Sequence, residues 1–232
     1  MSLPIQLLIG QIAAIFSLIP MVMYATPVQW AIFGVMYFGI MTFGITMGYH
    51  RYLSHKAFES PLWFEYVMLF FAHIMMVGSA IVWVANHREH HLFTDTDKDP
   101  HSPTHKGYFY SYFLQVFTTI NFKYVRDLLK VDRYRAQVKY YWQCLFVWGC
   151  FLSLIDPFAL VYAWLAPAGL AKLVGSLVFS YSHRGGEPHS DWWLGMITFG
   201  EGFHKQHHDN AHNASFHRHD IAGIIIRNFF TA

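Results

Sequence analysis

Hydrophobic and polar positions in this chain are sorted into long blocks rather than short periods. From Met1 to Tyr49 there is no Lys, Arg, Asp or Glu, and a stretch of that length holds two bilayer spans of about 20 residues each. Thr26-Pro27 supplies the turn, which predicts spans over 4–25 and 28–49. A second apolar block runs from Tyr140 to Ser182, broken only by Asp156-Pro157 and Lys172. It predicts a second hairpin, with spans over 138–155 and 158–182. The expected fold is an all-α membrane protein, a single domain over 1–232, with residues 50–137 and 183–232 outside the bilayer.

Composition strengthens that reading. Of 232 residues, 54% are hydrophobic and 13% charged, a balance abnormal for a soluble domain. Eleven of the sixteen Lys and Arg lie between Arg51 and Lys139 and four between Arg184 and Arg227, so both polar segments are expected on the cytoplasmic side. A cleaved signal peptide is not expected, because no basic region precedes the first apolar run and no polar domain follows it. Cys144 and Cys150 fall on one predicted helix, about 120° apart in projection and about 9 Å along the axis, so they cannot bridge. The net charge of +2 gives no footprint for nucleic acid.

Three segments are less regular. Leu62–Ala85 is long and apolar enough to cross, but crossing would separate the histidines on either side of it. It is therefore expected to re-enter or lie along the interface, with Glu65 at its wet end. Tyr108–Phe117 is expected to be interfacial or ordinary core. Lys123–Lys139, rich in basic residues, is expected to be a solvated or lipid-facing helix that could contact anionic headgroups or an anionic donor. Lys172, the one charge inside a span, is expected to snorkel.

The chemistry resides in histidine. His50 and His55 lie in HRYLSH, His87, His90 and His91 in HREHH, and His204, His207 and His208 in HKQHH, with His183 between the last two. In the second and third boxes the imidazoles recur at i, i+3 and i+4, which places them on one helix face. Nine neutral imidazoles are about twice what one ion can bind, which points to two metals. His73, in an apolar run, reads as a packed core residue; His101, His105, His189, His212, His217 and His219 read as solvated or supporting. Glu201, Asp95, Asp97 and Asp99 are candidates to accept the free ring N–H of metal-bound histidines, with turn-forming roles as the alternative for the aspartates.

GYHRYLSHKAFES at Gly48–Ser60, NHREHHLFTDTDKDPHSP at Asn86–Pro103 and TFGEGFHKQHH at Thr198–His208 resemble the membrane fatty acid desaturases, most closely the acyl-CoA and bacterial acyl-lipid enzymes that insert a first double bond. The resemblance implies four transmembrane helices and a helical cytoplasmic cap holding two irons on the nine histidines. It also implies dioxygen as co-substrate, a long saturated acyl chain as substrate, delta-9 selectivity as the family default, and ferredoxin or cytochrome b5 as electron donor. An external donor is needed, since no dinucleotide fingerprint, haem-attachment CxxCH or iron–sulfur cysteine set is present. Two departures stand out. Ala85-Asn86 replaces a basic-acidic pair of the animal acyl-CoA enzymes, and Phe179 stands where the family has an asparagine that helps complete one iron's shell. Ser180 and Ser176, on roughly the same helical face as His183, are candidates to hold a water there instead.

Two other functions fit parts of the pattern. A diiron hydroxylase of lipid or hydrocarbon would use the same oxidant. A non-enzymatic metal-binding membrane protein would place its ligands along a path within the bilayer, whereas these boxes fall at or beyond the ends of predicted spans. Zinc hydrolysis fits poorly, because HREHH lacks the order of an HExxH helix.

Overall fold

The structure, a computed structural model, describes residues 3–231. Among them there is no strand, only an isolated bridge between Glu59 and Thr231. The principal helices are α1 (Leu3–Tyr24), α2 (Pro27–Ser54), α3 (Leu62–Ile74), α4 (Ala80–Phe93), α5 (Asp132–Lys139), α6 (Tyr141–Ile155), α7 (Val161–Gly186), α8 (Trp192–Ile197), α9 (His204–Asp209) and α10 (Ile221–Phe229). By length and composition α1, α2 and α7 can each cross a membrane, and α5 and α6 form a pair bent by 70° whose apolar arm is α6. The outer faces are apolar: α1 exposes Ile5, Ile9, Phe16 and Val22, and α6 exposes Phe146, Val147, Phe151 and Leu154. Water would not tolerate such continuous apolar faces, whereas lipid does.

The turn between α1 and α2 follows its sequence. Thr26 Oγ1 accepts from Gln29 N and Gln29 Oε1 accepts from Thr26 N, a reciprocal cap with Pro27 at the first helical position. Beyond Phe38 the helix widens: the 16 residues Gly39–Ser54 are π-wound. At about 4.4 residues per turn in that winding, Gly39, Gly44 and Gly48 share one face. That face abuts α3 so closely that a Cβ on Gly44 would lie 2.6 Å from Ala72 N, and one on Gly48 2.9 Å from Met68 Cβ. Small residues thus bring the two backbones into contact. Gly169 of α7 does the same against α1, where a Cβ would meet Ala14 O at 2.2 Å.

Several expectations need correction. The second span does not end at residue 49 but continues as helix to Ser54, carrying His50 within it. Leu62–Ala85 is not one helix. It breaks at Met75–Ser79, where Met76 and Gly78 take positive φ of 60° and 99°, so α3 and α4 are separate helices. Glu65 is not at a wet end but buried, held by Tyr52, Tyr134 and both ends of the Arg133 guanidinium. Lys123–Lys139 is broken by the extended residue Val131 into short helical turns followed by α5. Lys172 does not snorkel: it is buried, donating to Ser176 Oγ at 2.8 Å and to Tyr112 O at 3.3 Å.

Candidate metal centre

Each histidine box arrives on a different element. α2 delivers His50, with His55 capping its end, α4 delivers the second box, and α9 the third. The first box depends on the unusual winding. Residues five apart on an α-helix point about 140° from each other, but at about 4.4 residues per turn they are separated by only about 50°. His55 N donates to His50 O at 3.2 Å, the five-residue hydrogen bond of that wider helix. The HxxxxH spacing therefore places both rings on one face only because the helix is wide.

The third box is positioned by a turn that only glycine fits. Gly200 has φ of 137°, and a Cβ there would lie 2.1 Å from Asp220 Oδ1; at Gly202 it would lie 2.2 Å from Gly195 N. Behind this turn Arg51, fully buried, donates to both Asp220 oxygens and to Ala214 O, and stacks over Phe216 at 3.9 Å. Phe216 in turn packs on the His207 ring at 4.8 Å. The residue next to His50 thus ties the C-terminal segment, and with it His207, to α2.

All nine histidines converge, but not box by box. His50, His55, His87, His91 and His207 form one group, and His90, His183, His204 and His208 a second; within each, one nitrogen per residue lies within 4.8 Å of all the others. The nitrogens that meet are Nε2. His55 faces His87 at 2.8 Å, and His207 faces His50 at 2.9 Å and His91 at 2.7 Å. In the second group His204 faces His183 at 2.8 Å and His208 at 3.1 Å, and His90 faces His208 at 3.4 Å.

The donor chemistry fits a cation in each group. Three Nδ1 atoms face carboxylates: His50 with Glu201, His90 with Asp99 and His183 with Asp95, each at 2.8 Å. A proton held on Nδ1 by a carboxylate leaves Nε2 as a bare lone pair. His207 Nε2 faces two other Nε2 atoms and can satisfy at most one through a proton. Nitrogens about 2.1 Å from a shared ion on adjacent vertices would be about 3.0 Å apart, close to the spacing observed. Burial keeps the rings neutral and ready to ligate, pushing His87, His90, His204 and His207 far below the usual imidazole range and holding His91 at about 4. Burial also pushes the Glu201 carboxyl up to about 8, against the pull of Arg51, and Asp99 up to about 6. A cation held on the Nε2 faces would favour the carboxylate form of both groups.

Other candidates are placed differently. Asp97 is exposed on the loop and touches no histidine of either group. His73 donates to or accepts from nothing in the centre; its Nε2 meets Tyr141 O at 3.0 Å. His212 Nδ1 meets His55 O at 2.8 Å. His101, expected to be solvated or supporting, is buried and stacks on His90 at 4.6 Å, forming a smaller cluster with His90 and Asp99. Its burial is legible only afterwards: the DPH run reads as polar loop, yet Asp99 accepts the His101 backbone N–H and folds it inward. Ser180 does not reach toward His183, since its hydroxyl donates to Ser176 O at 2.8 Å. The Phe179 ring instead faces His101 at 5.0 Å and Trp83 at 6.3 Å.

Three helices long and apolar enough to cross a membrane, together with two buried histidine clusters fit to hold metal ions, define the class of histidine-rich metal-binding membrane proteins. A family model described as fatty acid desaturase matches residues 26–231. Delta-9 desaturase-like 1 protein of Arabidopsis thaliana is 31% identical over 217 residues, covering 84% of this chain and 71% of that protein. Delta-9 acyl-lipid desaturase 2 of the same plant is 31% identical over 215 residues, 84% and 69% of the two chains. The sn-1 stearoyl-lipid 9-desaturase of Anabaena variabilis is 28% identical over 231 residues, 88% and 79%. The chain belongs to the fatty acid desaturase family and is an oxidoreductase.

Proposed function

We propose that this chain is an integral membrane desaturase that binds two irons and, with dioxygen and an external electron donor, introduces a cis double bond into a long saturated fatty acyl chain. The observation that carries the reading is the sorting of nine Nε2 donors into groups of five and four. Two such sets match two ions, and imidazole with carboxylate support suits redox-active iron. The ligands are His50, His55, His87, His91 and His207 for one ion and His90, His183, His204 and His208 for the other. Glu201, Asp99 and Asp95 fix the tautomers of His50, His90 and His183. Iron, when bound, supplies with dioxygen the oxidising power needed against an unactivated methylene. In balance, the acyl chain loses two hydrogens, the donor, ferredoxin or cytochrome b5, delivers two electrons one at a time, two protons come from solvent, and dioxygen becomes two waters.

The protein's own contribution is placement and exclusion. Burial of the Nε2 faces keeps water from the reacting carbons, while the apolar walls beside His87, including Trp83, Val82 and Phe179, hold the acyl chain. In this reading the chain crosses four times, with α6 in the third span, and all three boxes lie on the cytoplasmic side, which the Lys and Arg distribution supports. Delta-9 selectivity and an acyl-lipid substrate rest on the relatives' names; an acyl-CoA substrate is the other form of the same chemistry. Expression in a desaturase-deficient host, followed by lipid mass spectrometry, tests the reading. A loss of two hydrogens is expected, with the bond position read from fragmentation, and His50→Ala, His90→Ala and His207→Ala should abolish it and lower bound iron. A gain of one oxygen instead would make the enzyme a hydroxylase, and full activity in any two of the variants would overturn the ligand assignment.

A further inference from the structure

Residues 183–232 read from the sequence as a polar segment outside the bilayer, yet WWLGMITFG, from Trp192 to Gly200, carries no charge. α8 occupies most of this stretch, exposing Trp192, Trp193 and Ile197 and burying Leu194. Two neighbouring spans mark its depth. Leu194 clusters with Val174 and Val178 of α7, both inside the fourth span. The Tyr37 hydroxyl of α2 donates to Ile197 O at 2.7 Å, and the Phe199 ring packs on Phe38 at 4.9 Å. Tyr37 and Phe38 lie about 15–17 Å along α2 from Pro27, about half the thickness of a hydrocarbon core. The tip of the segment also leaves no carbonyl for water. Leu194 O accepts from Thr198 N, Met196 O from Phe199 N and Gly195 O from Gly200 N. The last carbonyls, which a helix end normally gives to solvent, are taken by other elements: Ile197 O by Tyr37, Thr198 O by the Thr46 hydroxyl at 3.4 Å and Phe199 O by Ala222 N at 3.0 Å. Complete internal pairing is what a backbone needs where no water reaches it.

We propose that residues 191–202 form a re-entrant loop whose tip, Ile197–Phe199, sits in the hydrocarbon of the cytoplasmic leaflet, so that the partner of this exposed face is lipid. Trp192 and Trp193 then lie nearer the headgroups, where an indole keeps its ring in the apolar layer and its N–H in the wet one. Trp192 Nε1 donates to His219 Nδ1 at 3.3 Å, which places its polar edge toward the cap. Trp193 lies beside Tyr181, itself exposed on α7, so the face continues the outer side of that span. The turn at Gly200 and Gly202, which sets the third histidine box, hangs from this support. The four-span reading supplies the depth scale on which the proposal rests.

The experiment uses the full metal-loaded chain in phosphatidylcholine vesicles, with Cys144 and Cys150 replaced by Ser and a fluorophore on one introduced cysteine. Lipids carrying a nitroxide on the acyl chain and aqueous iodide are the two quenchers. Ile197→Cys should be quenched by the lipid and protected from iodide, as should Val35→Cys on the exposed face of α2, whereas Lys98→Cys on the exposed loop should show the reverse. Iodide quenching at residue 197 as strong as at residue 98 overturns the proposal. Quenching by neither reagent overturns it too, because protein, such as a second copy of the chain, would then cover the face. Should Ile197→Cys fail to fold, Trp193→Cys replaces it: quenching by nitroxides placed near the headgroups supports the loop, and any other result overturns it. Iodide quenching at residue 35 would count against the four-span reading itself, whereas lipid quenching at residue 35 with none at residue 197 counts against the re-entrant loop alone.

Discussion

Replacing Asp220 with Ala should be among the most damaging changes outside the histidines. Asp220 is fully buried and accepts four hydrogen bonds, from Arg51 at 3.1 and 2.9 Å, from Phe216 N at 2.8 Å and from Gly223 N at 2.9 Å. Its loss leaves the Arg51 guanidinium buried with only the Ala214 carbonyl, a defect that costs about 3–5 kcal/mol. The cap of α10 goes with it, nominally worth about 1 kcal/mol, though the two share atoms and do not add in full. With about 2–4 °C per kcal/mol for a chain of this size, the melting midpoint should fall by about 6–20 °C. Thermal unfolding of the metal-loaded protein in detergent, followed by tryptophan fluorescence, reads the shift, and metal content measures the accompanying loosening of His207. The decisive comparison is Arg51→Met with Asp220→Leu: removing both charges should be less harmful than Asp220→Ala, because no unpaired charge remains. A single variant as stable as wild type, or a double variant worse than the single, would refute this account of the clamp.

Three further outcomes are expected. Glu201→Gln should keep the fold but weaken metal binding about 10–100-fold by freeing the His50 tautomer, measured by chelator competition; wild-type affinity would remove Glu201 from its role. With Cys144 and Cys150 first replaced by Ser, cysteines introduced at Thr26 and Lys106 should react with impermeant reagent from opposite sides of the membrane, and labelling from one side would rule out the four-span arrangement. Burial pushes the Asp127 carboxyl up, but Arg88 and Lys56 outweigh it and hold it at about 2. A lowered folded pKa gives stability that is present above the unfolded value near 4 and lost as pH falls toward about 2. Asp127→Asn should therefore flatten that part of the acid-unfolding curve, and an identical curve for wild type and variant would show that the pair contributes nothing.

The sequence made the block structure legible because lipid demands long apolar runs, and those runs survive as α1, α2 and α7. It also marked all nine histidines and the carboxylates at 95, 99 and 201, because rings at i, i+3 and i+4 on short helices need only local geometry to share a face. Three things stayed hidden for physical reasons. The first box has the wrong spacing for an α-helix, and nothing in GYHRYLSH announces that the helix widens. Arg51 and Asp220 pair across 169 residues, a distance over which no periodicity carries information. His101 and Lys172 carry polar side chains that read as solvated or snorkelling, and only the packing around each reveals that it is enclosed.

The two histidine groups cut across the boxes, and this bears on how the protein matures. α4 gives His87 and His91 to one group and His90 to the other, while α9 gives His207 to the first and His204 and His208 to the second. Each ion would therefore act as a cross-link between segments more than a hundred residues apart, closing loops as a disulfide does and removing freedom from the unfolded chain. The four-histidine set cannot assemble until α4 and α9 have both docked, whereas His50, His55, His87 and His91 can gather before His207 arrives, so docking of α9 completes both sets. A chain synthesised under metal limitation would have its C-terminal segment secured by the Arg51–Asp220 clamp, the Glu59–Thr231 bridge and the packing of Ala222 and Ile226 on Met47, Phe64 and Met68 alone.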